Sequence, residues 1–238
     1  MISKPLLKQT IRENWMLWLV LTLVQAVLLL ILGAIANVAA TGVAYYNMLP
    51  EILSAIYVII TGNKLIAAQV DKGTLAYVLS TPIKRTTVAI TQAFYLVGSL
   101  FFMSIISAGT HLIATQFLNS GLSSDDFGII VKLNLGVWVL SLAYGGICYL
   151  ASCVFNLSKY AIAVGGGIVG VSLLLPIISM FSDKFDFLKN FSLSALFDAP
   201  TIISGSSDYI ANFVILAVIG FMGILVGSQI FVKKDLPL

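Results

Sequence analysis

Charged side chains are what this sequence has least of. Lysine, arginine, aspartate and glutamate make up 10% of its 238 residues, against about 25% in a typical soluble domain. With 59% hydrophobic residues and a mean hydropathy of +1.04, this scarcity excludes a sizeable soluble domain and points to an integral membrane protein. Cysteine is nearly absent. Cys148 and Cys153 stand inside an apolar run without Cys-x-x-Cys or His/Cys metal spacing, and read as small membrane-buried side chains. The dipeptide Gly-Lys never occurs, so there is no Gly-x-x-x-x-Gly-Lys-Ser/Thr phosphate loop and the chain is not expected to be an ATPase. There is no His-Glu-x-x-His zinc motif, and no intramembrane carboxylate pair for aspartyl-type proteolysis. The one histidine, His111, lacks the surroundings of a nucleophile elbow. Neither a catalytic nor a metal site is expected.

What is present is a series of apolar stretches of about 20 residues or more, the length needed to cross a bilayer. They predict an all-α polytopic protein with six spans, at about 16–36, 51–70, 88–118, 128–155, 161–181 and 209–232. Ala34-Ile-Ala36 mimics a signal cleavage site, but the apolar run before it is longer than a signal core of roughly 7–15 residues, so it reads as a true span. Residues 1–15 place Lys4, Lys8 and Arg12 on one helical stripe and Leu7, Ile11 and Trp15 on a neighbouring one. This predicts an amphipathic helix lying on the membrane as an elbow before the first span. Asn37 to Pro50 reads as an outer loop, and 182–209 as an amphipathic or re-entrant outer segment between spans five and six. Glu51 then opens the second span at its outer end, and no carboxylate falls near mid-depth. His111 is accordingly read as a hydrogen-bonded structural residue rather than a proton relay, and Lys64 as a lysine snorkelling to the inner surface. Gly166-x-x-x-Gly170 in span five and Gly223-x-x-x-Gly227 in span six allow close helix approach, either within the chain or between two copies.

Cations divide unevenly between the two sides. Ten of the 13 (Lys4, Lys8, Arg12, Lys64, Lys72, Lys84, Arg85, Lys159, Lys233 and Lys234) fall on the side that holds both termini, and seven of the ten acids on the other. The positive-inside rule therefore predicts both termini in the cytoplasm.

One polar stretch interrupts the spans. Between spans two and three, Asp71-Lys-Gly73-Thr74-Leu75 is followed by Val78-Leu79-Ser-Thr-Pro82 and then Lys84-Arg85. Gly73-Thr74 predicts the start of a short helix over 74–82, with Thr74 as N-cap and Leu75, Val78 and Leu79 at helical spacing. Pro82 breaks it and can begin the next helix. Leu75 and Leu79 would form an apolar face for a partner, and Lys84 and Arg85 would orient it.

This pattern, with Phe231-Val-Lys-Lys-Asp-Leu236 and the order of spans, resembles the permease subunits of type-2 ABC exporters. The resemblance implies that Asp71, Gly73, Thr74, Leu75, Val78, Leu79, Pro82, Lys84 and Arg85 couple to a separate ATP-binding subunit. ATP and Mg²⁺ would belong to that partner, with no cofactor in this chain. It also implies work as a dimer of this chain or with a sister permease, in a cell membrane, with no nucleic acid as partner. Spans without mid-depth acids imply an uncharged cavity and a hydrophobic or amphipathic cargo such as an antimicrobial or toxin peptide. A secondary transporter or channel, and a membrane scaffold without transport, are the alternatives. The former would show mid-membrane ionisable groups or broken helices.

Overall fold

The computed structural model of the chain describes residues 2–81, 83–118, 121–179, 181, 187, 190–207 and 209–235. These are all-helical, with no strand among the described residues. Among the described residues six helical segments are long and apolar enough to cross a membrane, which makes the chain a multi-pass membrane protein.

The first is α1, Lys4–Ile35, one unbroken helix of 32 residues with Pro5 in its first turn, where a missing N–H costs nothing. It has no separate elbow. The basic stripe continues the axis of the span because its polar neighbours turn inward. Thr10 Oγ1 donates to Gln92 Oε1 at 3.1 Å and Asn14 Nδ2 to Thr10 O at 2.9 Å, while Lys4, Lys8 and Arg12 stay exposed.

The second span is longer than its apolar core predicts. The expected loop Asn37–Pro50 contains helix α2, Val38–Tyr46, opened by Asn37 Oδ1, which accepts from Ala40 N at 2.8 Å. Only Asn47 and Met48 separate it from α3, Leu49–Leu65. Pro50 falls in the first turn of α3, where it begins a helix instead of ending a loop. Together α2 and α3 make a broken span of 28 residues. Two short helices follow, α4 (Ala67–Asp71) and α5 (Thr74–Leu79), and then the third span, α6 (Arg85–Leu118).

The fourth span, α7 (Ser124–Val154), opens with a capping box in which Ser123 and Asp126 each bond the other's backbone N–H. It is the central helix, with 18 of its 31 residues buried between Ile130 and Cys153. Span five comprises α8 (Ser158–Ala161), a π-helical turn (Ile162–Gly166) and α9 (Gly167–Ser179). The residues at 190–203 fold back into the bundle through a 3₁₀ turn, Ser194–Leu196, and a short helix α10, Ala199–Ile203; Phe197, Ala199 and Ile202 are buried there. Within the expected segment 182–209, residues 182–186, 188, 189 and 208, among them Asp183, Lys184, Phe185 and Asp186, lie outside the described residues. The last span is α11, Tyr209–Lys233.

Close backbone approach holds α7 to α11. A Cβ on Gly220 would lie 2.7 Å from Leu142 O, and one on Gly223 would lie 2.7 Å from Gly146 C. Gly227 backs onto Leu150, and Gly166 onto Ile59 of α3. Three of the four paired glycines therefore serve packing inside this chain. Nothing lies within 4 Å of a Cβ on Gly170.

Candidate functional site

Two places concentrate polar groups: the end of the bundle that carries both termini, and the middle of the second span.

At the first, Ser3 N donates to Thr91 Oγ1 at 3.0 Å and Arg85 Nη1 donates to Lys234 O at 2.7 Å. Both chain ends thus meet the start of α6, and α4 and α5 lie at this same basic end. Gly73 adopts φ +69° and caps α5 itself, a conformation that favours glycine. Thr74 is the first helical residue, and its hydroxyl donates back to Gln69 O at 3.2 Å. The helix ends at Leu79 rather than continuing to 82; Pro82 lies outside the described residues.

The faces of α5 are the reverse of the expected ones. Leu75 is 0% exposed, and Val78 and Leu79 pack half-buried against the same core. The large group turned outward is Tyr77, 79% exposed, with exposed Lys72, Thr74, Ser80 and Lys84 around it. Two of the expected coupling residues are bound within the chain. Asp71 Oδ2 accepts from Ser158 N at 3.2 Å, at the start of span five. Arg85 holds the chain just past α11, at Lys234, whose ammonium donates to Val154 O and Cys153 O. A cation on these carbonyls offsets the negative end of α7, and burial there lowers the Lys234 ammonium from its ordinary pKa, opposed by neighbouring Cys153.

The second place is centred on Glu51. With α2 counted, Glu51 is residue 14 of the 28 in the Val38–Leu65 span. It is 5% exposed. Its Oε1 accepts from Tyr144 Oη of α7 at 2.5 Å and from Ser194 Oγ of the 3₁₀ turn. Tyr144 Oη is 3.3 Å from Ser172 Oγ of α9, which is 3.2 Å from Ser192 Oγ. One carboxylate and four hydroxyls thus join spans two, four and five to the infolded segment. The expectation that no carboxylate reaches mid-depth is corrected here. That expectation takes 37–50 as a loop, whereas the sequence signal is helical: Asn37 as cap, followed by Val38, Thr41, Gly42, Tyr45 and Tyr46 along one helical face, all buried.

A third polar group lies nearby. His111 is 0% exposed, stacks on Tyr46 with ring centroids 5.6 Å apart, and shares a hydrogen bond between Nδ1 and Tyr46 Oη at 3.0 Å. Asn134 Nδ2 donates to the same Oη at 2.7 Å. The phenol ties α2 to α6 and α7, the hydrogen-bonded role expected for this histidine. Tyr46→Phe should leave a buried donor or acceptor unpaired, at about 1–3 kcal/mol, read as a lower unfolding temperature in detergent; an unchanged transition would remove the phenol from the scaffold.

Apolar grooves face outward between helices. One of about 570 Å³ lies between α6 and α11, lined by Ala93, Phe94, Val97, Phe221 and Leu225. Another of about 480 Å³ lies between α1 and α6, lined by Trp15, Trp18, Phe94 and Phe102. Compared with models of protein families and with curated protein sequences, this chain matches none.

Proposed function

We propose that this chain is the membrane-spanning permease subunit of an ATP-driven exporter. It would work with a second permease copy or sister chain and with separate ATP-binding subunits that supply the ATP and Mg²⁺. The observation that carries this reading is α5, a short helix across the basic end between spans two and three. It is anchored inward by Leu75 and presents Tyr77 outward between Lys72 and Lys84. A soluble subunit seated on Tyr77 could push spans two and three through one rigid lever, the kind of element by which nucleotide-driven closure becomes a rearrangement of helices. The apolar grooves beside α6 support a hydrophobic or amphipathic cargo over sugars or inorganic ions.

The chain purified from its native host should carry a soluble ATPase with it. Tyr77→Ala should reduce that association about tenfold or more, as expected for an aromatic anchor at an interface. The melting temperature should stay unchanged, because Tyr77 makes little contact within the chain. Absence of ATP hydrolysis in the purified complex overturns the reading. One observation favours a second reading, an ion-coupled transporter working without an ATPase. The second span is broken and carries a buried carboxylate at its middle, features that secondary transporters use for coupling ions.

A further inference from the structure

We propose that Glu51 is a proton-binding site at the centre of the membrane, loaded and emptied through Tyr144 and Ser172. The inference stands under either source of transport energy, because it concerns only groups of this chain.

A carboxylate removed from water must be paired or neutralised. Among the described residues, no lysine, arginine or histidine bonds to Glu51; its hydrogen-bond partners are Tyr144 and Ser194. The groups facing it are hydroxyls from three elements: Tyr144 on α7, Ser172 on α9, and Ser192 and Ser194 on the infolded segment. Of these, Tyr144 is the titratable one. Along α3 the next titratable group is Tyr57, whose hydroxyl lies 3.3 Å from that of Tyr95 on α6. His111 is engaged with Tyr46 on α2.

Hydroxyls differ from a lysine or arginine partner in one respect that decides the role. Each can donate to a carboxylate or, rotated, accept from a carboxylic acid. Fixed cations would hold Glu51 permanently ionised, whereas this set accommodates both states. A metal ion fits less well, because Glu51 is the one charged ligand: among the described residues no group of three His, Cys, Asp or Glu could hold an ion. A proton needs one carboxylate only.

The route is short. Glu51 Oε1 to Tyr144 Oη is 2.5 Å, and Tyr144 Oη to Ser172 Oγ is 3.3 Å. Ser172 lines an open groove of about 440 Å³ with Val164, Gly167, Phe191 and Leu193. The π-helical turn Ile162–Gly166 directly precedes that helix face, and such turns are frequent at functional sites. A proton from water in the groove passes to Ser172, which gives its own to Tyr144, which gives its own to Glu51. An O–H bond forms at the carboxylate, and the reverse path returns the proton to water, so no other reactant is needed.

The test uses the full chain in detergent and dicyclohexylcarbodiimide, an apolar reagent selective for protonated carboxyls in apolar surroundings. The carboxylic acid protonates one carbodiimide nitrogen while its oxygen bonds to the central carbon. The resulting O-acylisourea rearranges to a stable N-acylurea that peptide mass spectrometry locates. Labelling should fall on Glu51 and decline as the pH rises, because only the protonated carboxyl reacts. It should vanish in Glu51→Gln, and Tyr144→Phe should change its dependence on pH. Should Glu51→Gln fail to fold, the pH profile and mapped position in the unaltered chain decide alone. Labelling that is absent from Glu51, or that does not change with pH, overturns the proposal.

Discussion

Gly146→Leu is expected to leave no extractable, monodisperse protein. A Cβ at this position would lie 2.3 Å from Gly220 O and 2.8 Å from Gly220 Cα, and neither backbone atom can rotate away. The side chain can be housed only if α11 moves off α7, the helix on which most of the bundle packs. Overpacking a well-filled core typically costs about 1–3 kcal/mol, and a leucine against backbone belongs at or above the top of that range. Helices in a membrane are held by packing more than by exclusion of water, so a seam pried open has little to replace it. Gly170→Leu is the control, because open space surrounds a Cβ there; it should melt with the parent. Equal thermal stability and equal size-exclusion profiles for parent and Gly146→Leu would disprove the α7–α11 seam. A change in oligomer size confined to Gly170→Leu would assign that glycine to contact between two copies.

Leu75→Ala is expected to release α5 from the bundle. A fully buried leucine cut to alanine costs about 2–5 kcal/mol, depending on how far its surroundings collapse. The helix concerned is only six residues long, Thr74–Leu79, too short to persist by its own hydrogen bonds. Its amides should then exchange with solvent at least about tenfold faster, since about 1.4 kcal/mol of local stability corresponds to one such factor. Under the exporter reading this variant loses both the order of the lever and the association with the ATPase, whereas Tyr77→Ala loses only the association. Hydrogen exchange of residues 70–81 separates the two, and protection unchanged in Leu75→Ala would mean that the leucine does not anchor α5.

The spans were legible because their signal is local. A bilayer demands about 20 consecutive apolar residues, and that demand is met or failed within each stretch regardless of its neighbours. The cores of all six spans could be read this way, with ends close to those observed for Arg85–Leu118 and Tyr209–Lys233. The clustering of cations could be read for the same reason. Inward and outward are matters of what packs where. Helical spacing put Leu75 and Leu79 on one side of α5, but the core beneath it made that side an anchor and left Tyr77 as the outer face. The glycines of α11 announced a close contact, and only the crossing with α7 named Gly146 as its partner.

Glu51 shows where the boundary between the two falls. Its depth followed from whether Val38–Tyr46 is helix, and that stretch of nine residues carries Gly42 and Thr41. By itself it is marginal as a helix. Packing of Tyr45 and Tyr46 against the bundle, with the phenol of Tyr46 between His111 and Asn134, holds it helical. The sequence by itself determined that six apolar helices cross a membrane with their cations at one end, because span length and charge are properties of each segment. Only the tertiary structure decided that an acid placed by composition at a membrane surface is buried at mid-span. A carboxylate survives there because Tyr144 and Ser194, 93 and 143 residues away along the chain, bring it the hydroxyls it needs.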